Sequence, residues 1–178
     1  MAAILAFAGS NSSTSINFKL VKHTASLVQQ HDIQLINMAE RAFPMFSEDL
    51  EKAEGYSDDL MELKAKINGA EGLIVSVNEY NGNPSAYFKN VLDWLSRLDR
   101  NFLEGTKVFL MSTSGGKRGG KGAFTVVEGM LPRFGGEITA NFSLPSFYEN
   151  FGDEGIVDEA LQRDHRKAID TFLDSLNS

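Results

Sequence analysis

Short apolar runs and longer helical patterns alternate along the whole chain, and this alternation limits the possible fold more than any other feature. Five apolar runs too short for a helix are predicted to be strands, at residues 2–8, 33–36, 72–77, 108–113 and 137–142. Patterns of helical spacing follow them in turn, at residues 16–30, 57–68, 85–98, 121–134 and 157–176. Strands that alternate with helices predict an α/β sandwich of three layers, in which a five-stranded parallel sheet is covered by helices on both faces.

The length and residue content of the chain limit the classes of protein to which it can belong. At 178 residues it is predicted to form one domain over residues 1–178, in which only residues 38–56 lack a clear pattern. The net charge of −7 argues against a nucleic-acid partner, because the phosphates would be repelled. The absence of cysteine excludes disulfides and thiolate metal sites, and the three histidines lack the spacing of metal ligands.

Neither a membrane-spanning segment nor an export signal is predicted. No apolar run approaches the length of about 20 residues that a helix needs to cross a bilayer. The first eight residues have the pattern of a strand and lack the basic region of a signal peptide. The cytoplasm is therefore the expected location.

The first predicted strand ends at Gly9 and leads into a segment rich in hydroxyl groups. The hydroxyl side chains of this segment are those of Ser10, Ser12, Ser13, Thr14 and Ser15. A helical pattern begins directly afterwards, and a helix N-terminus presents free backbone N–H groups and the positive end of its dipole. The segment matches neither the dinucleotide fingerprint nor the P-loop. It suits a phosphate monoester bound by neutral donors, such as that of FMN, and it equally suits a plain helix cap.

Two later loops are expected to lie beside this segment. In a parallel sheet, ligands bind beyond the carboxyl ends of the strands where the strand order reverses, which selects the loops after the first, third and fourth strands. The loop after the third strand contains Tyr80, which offers an aromatic face with a polar tip. The loop after the fourth strand has four glycines within residues 115–120, and these allow the backbone to approach a flat ligand closely.

Together the three loops resemble those of the NAD(P)H-dependent FMN reductases, a flavodoxin-like family that includes chromate and quinone reductases and some azoreductases. The first loop of that family typically has the pattern G-S-x-R-x-x-S-x-N, which is matched by Gly9, Ser10, Ser15 and Asn17. The second typically has P-E-Y-N, a proline and then K-N-x-x-D-W, matched by Glu79, Tyr80, Asn81, Pro84, Lys89, Asn90, Asp93 and Trp94. The third, a serine-rich strand end with glycine-rich turns, is similar to residues 112–120. The resemblance spans essentially the whole chain.

The resemblance implies a fold, an activity and a site. The fold would be flavodoxin-like with strand order 2-1-3-4-5, and hydride would pass from NADPH or NADH to FMN. A quinone, an azo compound, a metal oxyanion or free flavin would then accept it in a ping-pong cycle. No catalytic side chain is required, because the flavin carries the chemistry. The residues implied to bind FMN are Gly9, Ser10, Ser12, Ser15, Ile16, Asn17, Asn78, Glu79, Tyr80, Asn81, Ser112, Ser114, Gly115 and Gly116. Tyr80 would also shape the acceptor pocket, and the family implies a homodimer or homotetramer.

Two positions depart from the family pattern. Ser12 stands where the family has an arginine, so the loop offers no cation to the phosphate, and weak binding of FMN is expected. Asn78 stands where the family has a proline, and Pro84 lies one position earlier than is common; this departure is expected to alter only the shape of the loop.

Lys117 and Arg118 in the third loop are candidates for binding the phosphates of NAD(P)H. Charged residues in a glycine-rich loop can equally serve to keep it soluble. An electron-transfer flavoprotein without NAD(P)H activity is the alternative function, and a flavin-binding protein that has lost catalysis is a third.

Other residues are expected to have structural or contact roles. Trp94 is predicted to lie in the core or at a subunit contact. Residues 43–46 could cover the flavin or pack at a subunit interface, and the interface is favoured. The aromatic residues within 147–151 are expected to reach a neighbouring subunit. His165 lies in a run of charged residues and is expected to face solvent.

Overall fold

Five parallel strands form the central sheet in a computed structural model of the chain, which describes residues 1–177. The strands are β1 (Ala3–Ala8), β2 (Asp32–Ile36), β3 (Gly72–Val77), β4 (Lys107–Thr113) and β5 (Glu137–Leu144). Their order across the sheet is β2-β1-β3-β4-β5, which confirms the predicted order 2-1-3-4-5. Each neighbouring pair is parallel; Phe7 of β1, for example, lies opposite Ile36 on one side and Val75 on the other.

Helices connect the strands and cover both faces of the sheet. They are α1 (Ile16–Ser26), α2 (Glu48–Glu54), α3 (Asp58–Asn68), α4 (Ala86–Leu98), α5 (Lys121–Met130), α6 (Phe147–Asn150) and α7 (Glu159–Ser175). Short 3₁₀ helices lie at Met38–Glu40 and Leu131–Phe134. Two small antiparallel hairpins pair Glu79–Tyr80 with Asn83–Pro84 and Phe151–Gly152 with Gly155–Ile156.

Alternate residues of the strands pack against opposite layers of helices. Leu5 and Phe7 belong to the apolar cluster that includes residues of α3, α4 and α5. Ile4 and Ala6 belong to the cluster that includes residues of α1 and α7. The central strand β3 is buried along its whole length, as expected when both faces are covered. The chain therefore forms the predicted three-layer sandwich.

Two regions differ locally from the sequence prediction. Residues 38–56 are more regular than expected, because Ser47 caps α2 by accepting a hydrogen bond from the N–H of Leu50. The helix predicted at 121–134 ends at Met130 and continues as a 3₁₀ turn. Pro132 has no N–H with which to extend the α-helical ladder, which accounts for the change.

The prediction that His165 faces solvent is wrong. Its side chain is only 2% exposed, its ring stacks on that of His23 at 5.7 Å, and its Nε2 lies 2.9 Å from Oγ1 of Thr24. His165 shares one face of α7 with Ile169 and Phe172, both of which are buried against the sheet. Helical periodicity thus directs His165 inward, although its neighbours in sequence are charged.

Trp94 lies in the core, as predicted, and is 3% exposed. Its Nε1 donates a hydrogen bond of 2.8 Å to the carbonyl of Pro44, and the ring of Phe46 meets it edge-on at 5.0 Å. The segment 43–46 therefore packs on α4 of the same protomer, although Pro44 and Met45 are exposed. Within residues 1–177 no helix has the length and apolar character needed to cross a membrane, and no three histidine or acidic side chains cluster as metal ligands.

Candidate functional site

The loops at the carboxyl ends of β1, β3 and β4 surround one open cleft of about 250 Å³. It is lined by Ser10, Ser12, Thr14, Ser15, Ile16, Asn17, Asn78, Glu79, Tyr80, Thr113, Ser114, Gly115 and Tyr148. The strand order reverses between β1 and β3, so the cleft lies at the position where parallel α/β sheets bind ligands.

The loop after β1 is shaped by the close approach of Gly9 to the ring of Phe88 and by the hydroxyls of two serines. Gly9 lies against α4, where a Cβ atom would be only 2.6 Å from the ring of Phe88. Oγ of Ser10 accepts a hydrogen bond from the N–H of Ser12 at 3.2 Å, and Oγ of Ser12 accepts one from the N–H of Thr14 at 3.3 Å. These local bonds fold the loop into successive serine turns at the edge of the cleft.

The first turn of α1 presents unpaired amide groups to the cleft. Ser15 caps the helix, because its Oγ accepts a hydrogen bond of 3.1 Å from the N–H of Phe18. The N–H groups of Ile16 and Asn17 have no hydrogen-bond partner within residues 1–177, and both residues line the cleft. Free amides at the positive end of a helix dipole, with hydroxyl groups beside them, form a site for an anionic oxygen group.

The side chain of Asn17 is occupied by bonds to the sheet. It is 2% exposed, and its Oδ1 accepts hydrogen bonds from Oγ of Ser76 at 2.7 Å and from the N–H of Thr113 at 3.0 Å. Its Nδ2 donates to the carbonyl of Thr113 at 3.1 Å. Asn17 therefore fastens α1 to the ends of β3 and β4, and it is the backbone N–H that remains for a ligand.

A tight hairpin after β3 places Tyr80 at the cleft. Tyr80 pairs with Asn83 across a two-residue turn in which Asn81 and Gly82 both have positive φ, at 53° and 75°. Asn-Gly is the residue pair that a type I′ hairpin turn favours. The side chain of Tyr80 is 62% exposed, so its ring is free to contact a bound molecule.

Glu79 anchors this hairpin to α5. The N-cap position of α5 is Gly120, which has no side chain to cap the helix. Oε2 of Glu79 takes that role by accepting a hydrogen bond of 2.9 Å from the N–H of Ala123. Glu79 is the single carboxylate among the residues that line the cleft, and this bond engages it.

Asn78, the first residue after β3, carries an unsatisfied polar atom. The residue is 9% exposed and lines the cleft. Its Oδ1 is buried and has no hydrogen-bond donor in the described part of the chain. The environment of this residue therefore differs from that of Asn17, whose amide oxygen accepts two hydrogen bonds.

The loop after β4 turns back through glycines and is closed by Ser112. Oγ of Ser112 is buried and donates a hydrogen bond of 2.7 Å to the carbonyl of Gly119. Gly119 and Gly120 have positive φ, at 58° and 78°, a conformation that glycine adopts without strain. The loop thereby brings Ser114 and Gly115 to the cleft.

Lys117 and Arg118 lie at the tip of this turn. Both side chains are exposed, and neither forms an ion pair with any residue that the structure describes. They are outside the lining of the cleft but follow Gly115 closely in sequence.

Tyr148 borders the cleft from the short helix α6 in the connection that follows β5. Its side chain is 77% exposed, and a Cβ atom at Gly115 would lie 3.2 Å from its ring. Ser146 adopts the left-handed conformation with φ of 44°, and its N–H donates a hydrogen bond of 2.9 Å to the carbonyl of Gly116. The loop after β5 is therefore fastened to the loop after β4, and the two loops form one wall of the cleft.

Most of the residues predicted to bind FMN lie at the cleft: Ser10, Ser12, Ser15, Ile16, Asn17, Asn78, Glu79, Tyr80, Ser114 and Gly115. The other four residues predicted to bind FMN do not line it; they are Gly9, Asn81, Ser112 and Gly116. Of these, Gly9, Asn81 and Ser112 set the conformation of the loops. Lys117 and Arg118, the candidates for binding the nucleotide, do not line it either.

The sequence prediction omitted three residues that line the cleft, namely Thr14, Thr113 and Tyr148. Thr14 lies in the hydroxyl-rich segment and Thr113 ends β4, so both could have been included from their positions. Tyr148 lies in the aromatic segment that was expected at a subunit contact. The adjacency of β5 to β4 is the signal that would have placed its loop beside the cleft.

Comparison with known proteins gives relatives among flavin-dependent reductases. The model of the family "NADPH-dependent FMN reductase" matches residues 2–136. Over 77 residues the chain is 34% identical to the quinone reductase of Escherichia coli (strain K12), an alignment that covers 43% of this chain and 41% of that protein. Over 123 residues it is 28% identical to the NADPH:quinone oxidoreductase of Arabidopsis thaliana, covering 68% of this chain and 62% of that protein. The chain thus spans less than two thirds of the length of these curated relatives.

A solved structure agrees with the fold over nearly the full length. It is that of FerB, a flavoenzyme NAD(P)H:(acceptor) oxidoreductase from Paracoccus denitrificans, with a TM-score of 0.79 and 22% identity. The alignment covers 99% of this chain and 98% of that one. The family match includes all three loops after β1, β3 and β4, and it confirms the resemblance inferred from the sequence. The chain belongs to the NADPH-dependent FMN reductase family.

Proposed function

We propose that the protein is an FMN-dependent oxidoreductase that takes hydride from NADPH or NADH and reduces a small-molecule acceptor of the quinone class. The observation that carries the proposal is the single cleft formed by the three loops at the switch point of the sheet. Membership of the family supports FMN and NADPH, and the names of two relatives, a quinone reductase and an NADPH:quinone oxidoreductase, support the acceptor class.

The residues at the cleft fit FMN. The free N–H groups of Ile16 and Asn17 and the hydroxyls of the loop after β1 suit the phosphate, which they would bind through neutral donors. The loops after β3 and β4 offer Tyr80, backbone at Gly115 and the unpaired oxygen of Asn78 to the flavin ring and its ribityl chain. The one carboxylate at the cleft, that of Glu79, uses its Oε2 to accept a hydrogen bond from the N–H of Ala123, which directs that oxygen to the N-terminus of α5.

FMN, when bound, supplies the redox chemistry, and the protein supplies position and electrostatics. Asn17 and Glu79 act on the framework, because they fix α1 and the Tyr80 hairpin relative to the sheet and to α5. Tyr80 and Tyr148, both largely exposed, border the space in which nucleotide and acceptor would be placed in turn. Such placement matters because the reacting atoms must approach to about 3–3.5 Å.

Lys117 and Arg118 are proposed to bind the phosphates of the pyridine nucleotide. They are exposed, unpaired within residues 1–177 and next to the loop that reaches the cleft. An arginine can bind a phosphate through two parallel hydrogen bonds, and a 2′-phosphate would give it a contact that NADH lacks.

Turnover by the FMN-loaded protein tests the proposed function. We expect NADPH oxidation that depends on a quinone, with the parallel double-reciprocal plots of a ping-pong cycle. The proposal fails if the protein takes up no FMN. It also fails if the loaded protein oxidises neither nucleotide in the presence of quinone, ferricyanide or an azo dye.

One observation favours a second function, that of an electron-transfer flavoprotein without NAD(P)H activity. The cleft is bordered by two exposed tyrosines, Tyr80 and Tyr148, and flavodoxins typically place aromatic residues beside the flavin. Rapid electron exchange with a redox protein, without NADPH oxidation, would favour this function over the first.

The assembly and location of the protein also remain proposals. We propose a homodimer or homotetramer, on the basis of the family resemblance, and the cytoplasm is the location that the sequence predicts. Light scattering on the eluted protein would give the molar mass and test the oligomeric state.

A further inference from the structure

We propose that the side-chain oxygen of Asn78 contributes to the affinity for FMN by accepting a hydrogen bond from the bound cofactor. The inference rests on the proposed binding of FMN and adds a role to a residue that departs from the family pattern. Asn78 directly follows β3, is 9% exposed and lines the cleft between the hydroxyl-rich loop and the Tyr80 hairpin.

The unpaired oxygen is exceptional within this protein. Asn17 and Asn90 are also buried, and their amide oxygens accept hydrogen bonds, that of Asn90 from the N–H of Phe46 at 2.8 Å. Oδ1 of Asn78 is the one buried side-chain polar atom in residues 1–177 without a partner. Buried polar groups are nearly always paired, so an unpaired acceptor at the wall of a ligand cleft indicates that the ligand provides the donor.

FMN carries donors of the required kind. Its ribityl chain has hydroxyl groups and its ring has an N–H, and either can donate to an amide oxygen. The proline that the family has at this position offers no side-chain acceptor. Asn78 would therefore recover part of the affinity that is lost where Ser12 replaces the family arginine.

The test measures both the affinity of the apoprotein for FMN and its thermal stability. Asn78→Ala removes the oxygen without adding bulk, and Asn78→Leu removes it at similar size. We expect FMN to bind about 10-fold more weakly to both variants, while the midpoint of thermal unfolding of the apoprotein stays unchanged or rises. A merely structural asparagine would instead lower the midpoint when it is replaced.

Asn83→Leu is the matched control, because Asn83 is exposed in the same hairpin and lies outside the cleft lining. It should bind FMN with the affinity of the wild type. The inference is overturned if Asn78→Ala binds FMN as tightly as the wild type does. A loss of affinity in Asn78→Leu alone would then come from the bulk of the leucine side chain and not from the missing oxygen.

Riboflavin and lumiflavin identify the donor. Lumiflavin has the ring N–H but lacks the ribityl chain, so a loss of affinity that persists with lumiflavin assigns the bond to the ring. A loss seen with FMN and riboflavin alone assigns it to a ribityl hydroxyl.

If wild-type apoprotein takes up no FMN, the proposed function itself fails. If wild type and both Asn78 variants bind FMN equally, only the present inference fails.

Discussion

Because His165 is buried, we expect the protein to lose stability in mild acid. A single substitution at this position can separate this loss from the effects of other groups. Burial, with smaller contributions from His23 and Arg166, lowers the pKa of His165 from 6.5 to about 4. The hydroxyl of Thr24 donates to the carbonyl of Leu20 at 2.9 Å, and a neutral imidazole that carries its proton on Nε2 then donates it to Oγ1 of Thr24.

The sign of the effect follows from the two pKa values. The unfolded chain protonates His165 near pH 6.5, whereas the folded protein resists protonation until about pH 4, so stability falls as the pH falls between these values. Proton linkage gives a loss of about 2 kcal/mol between pH 7 and pH 5, and about 3 kcal/mol at pH 4. Burial also lowers the pKa of His23, which acts in the same direction.

Urea unfolding at pH 7 and pH 5 measures the effect. The variant His165→Gln keeps an N–H donor for Thr24 but cannot be protonated in this range, so its loss of unfolding free energy between the two pH values should be smaller by about 2 kcal/mol. His31→Gln, which changes a histidine outside the stacked pair of His23 and His165, should keep the wild-type difference. The reasoning is refuted if His165→Gln loses as much stability as the wild type.

Three further substitutions examine the proposed binding of FMN, nucleotide and acceptor. Ser12→Arg would place a cation at the phosphate, and titration of the apoprotein should show FMN binding about tenfold more tightly. Ser13→Arg, at an exposed position, is the control. Equal or weaker affinity in Ser12→Arg contradicts this prediction. Arg118→Ala should raise the KM for NADPH about tenfold and that for NADH less, in steady-state assays with Arg133→Ala as control; the idea fails if both KM values are unchanged. Tyr148→Ala should raise the KM for a quinone about fivefold but leave that for ferricyanide unaltered, because only the aromatic acceptor stacks on the ring; equal changes would rule this out.

The sequence is sufficient to predict the sheet and the loops that line a cleft. The strand order follows from periodicity and from the family motifs, and the structure confirms it. A cleft lies at the loops after the first, third and fourth strands, where the sequence predicts the candidate site. The charged neighbours of His165 in sequence favour a position facing solvent, whereas its helical spacing favours burial. It lies four residues before Ile169 and seven before Phe172, on the buried face of α7.

The sequence could not show which residues of the motifs contact a ligand and which hold the surrounding backbone in place. Asn17 and Glu79 occur in motifs that accompany FMN binding, yet their side chains bond to the ends of strands and to the N-terminus of α5. A motif records which residues occur together and does not say whether each contacts a ligand or supports its neighbour. Tertiary contacts, such as that between Glu79 and Ala123, decide between these roles.

The bond between Glu79 and Ala123 also provides a probe of motion in the hairpin. The amide hydrogen of Ala123 is held by a side chain from another segment, so its exchange with solvent deuterium requires the hairpin to separate from α5. Because Tyr80 follows Glu79 directly and borders the cleft, the protection of this one amide reports the stability of the closed wall of the cleft. Deuterium uptake at Ala123 would thereby give the free energy of opening on the acceptor side without any label in the cleft.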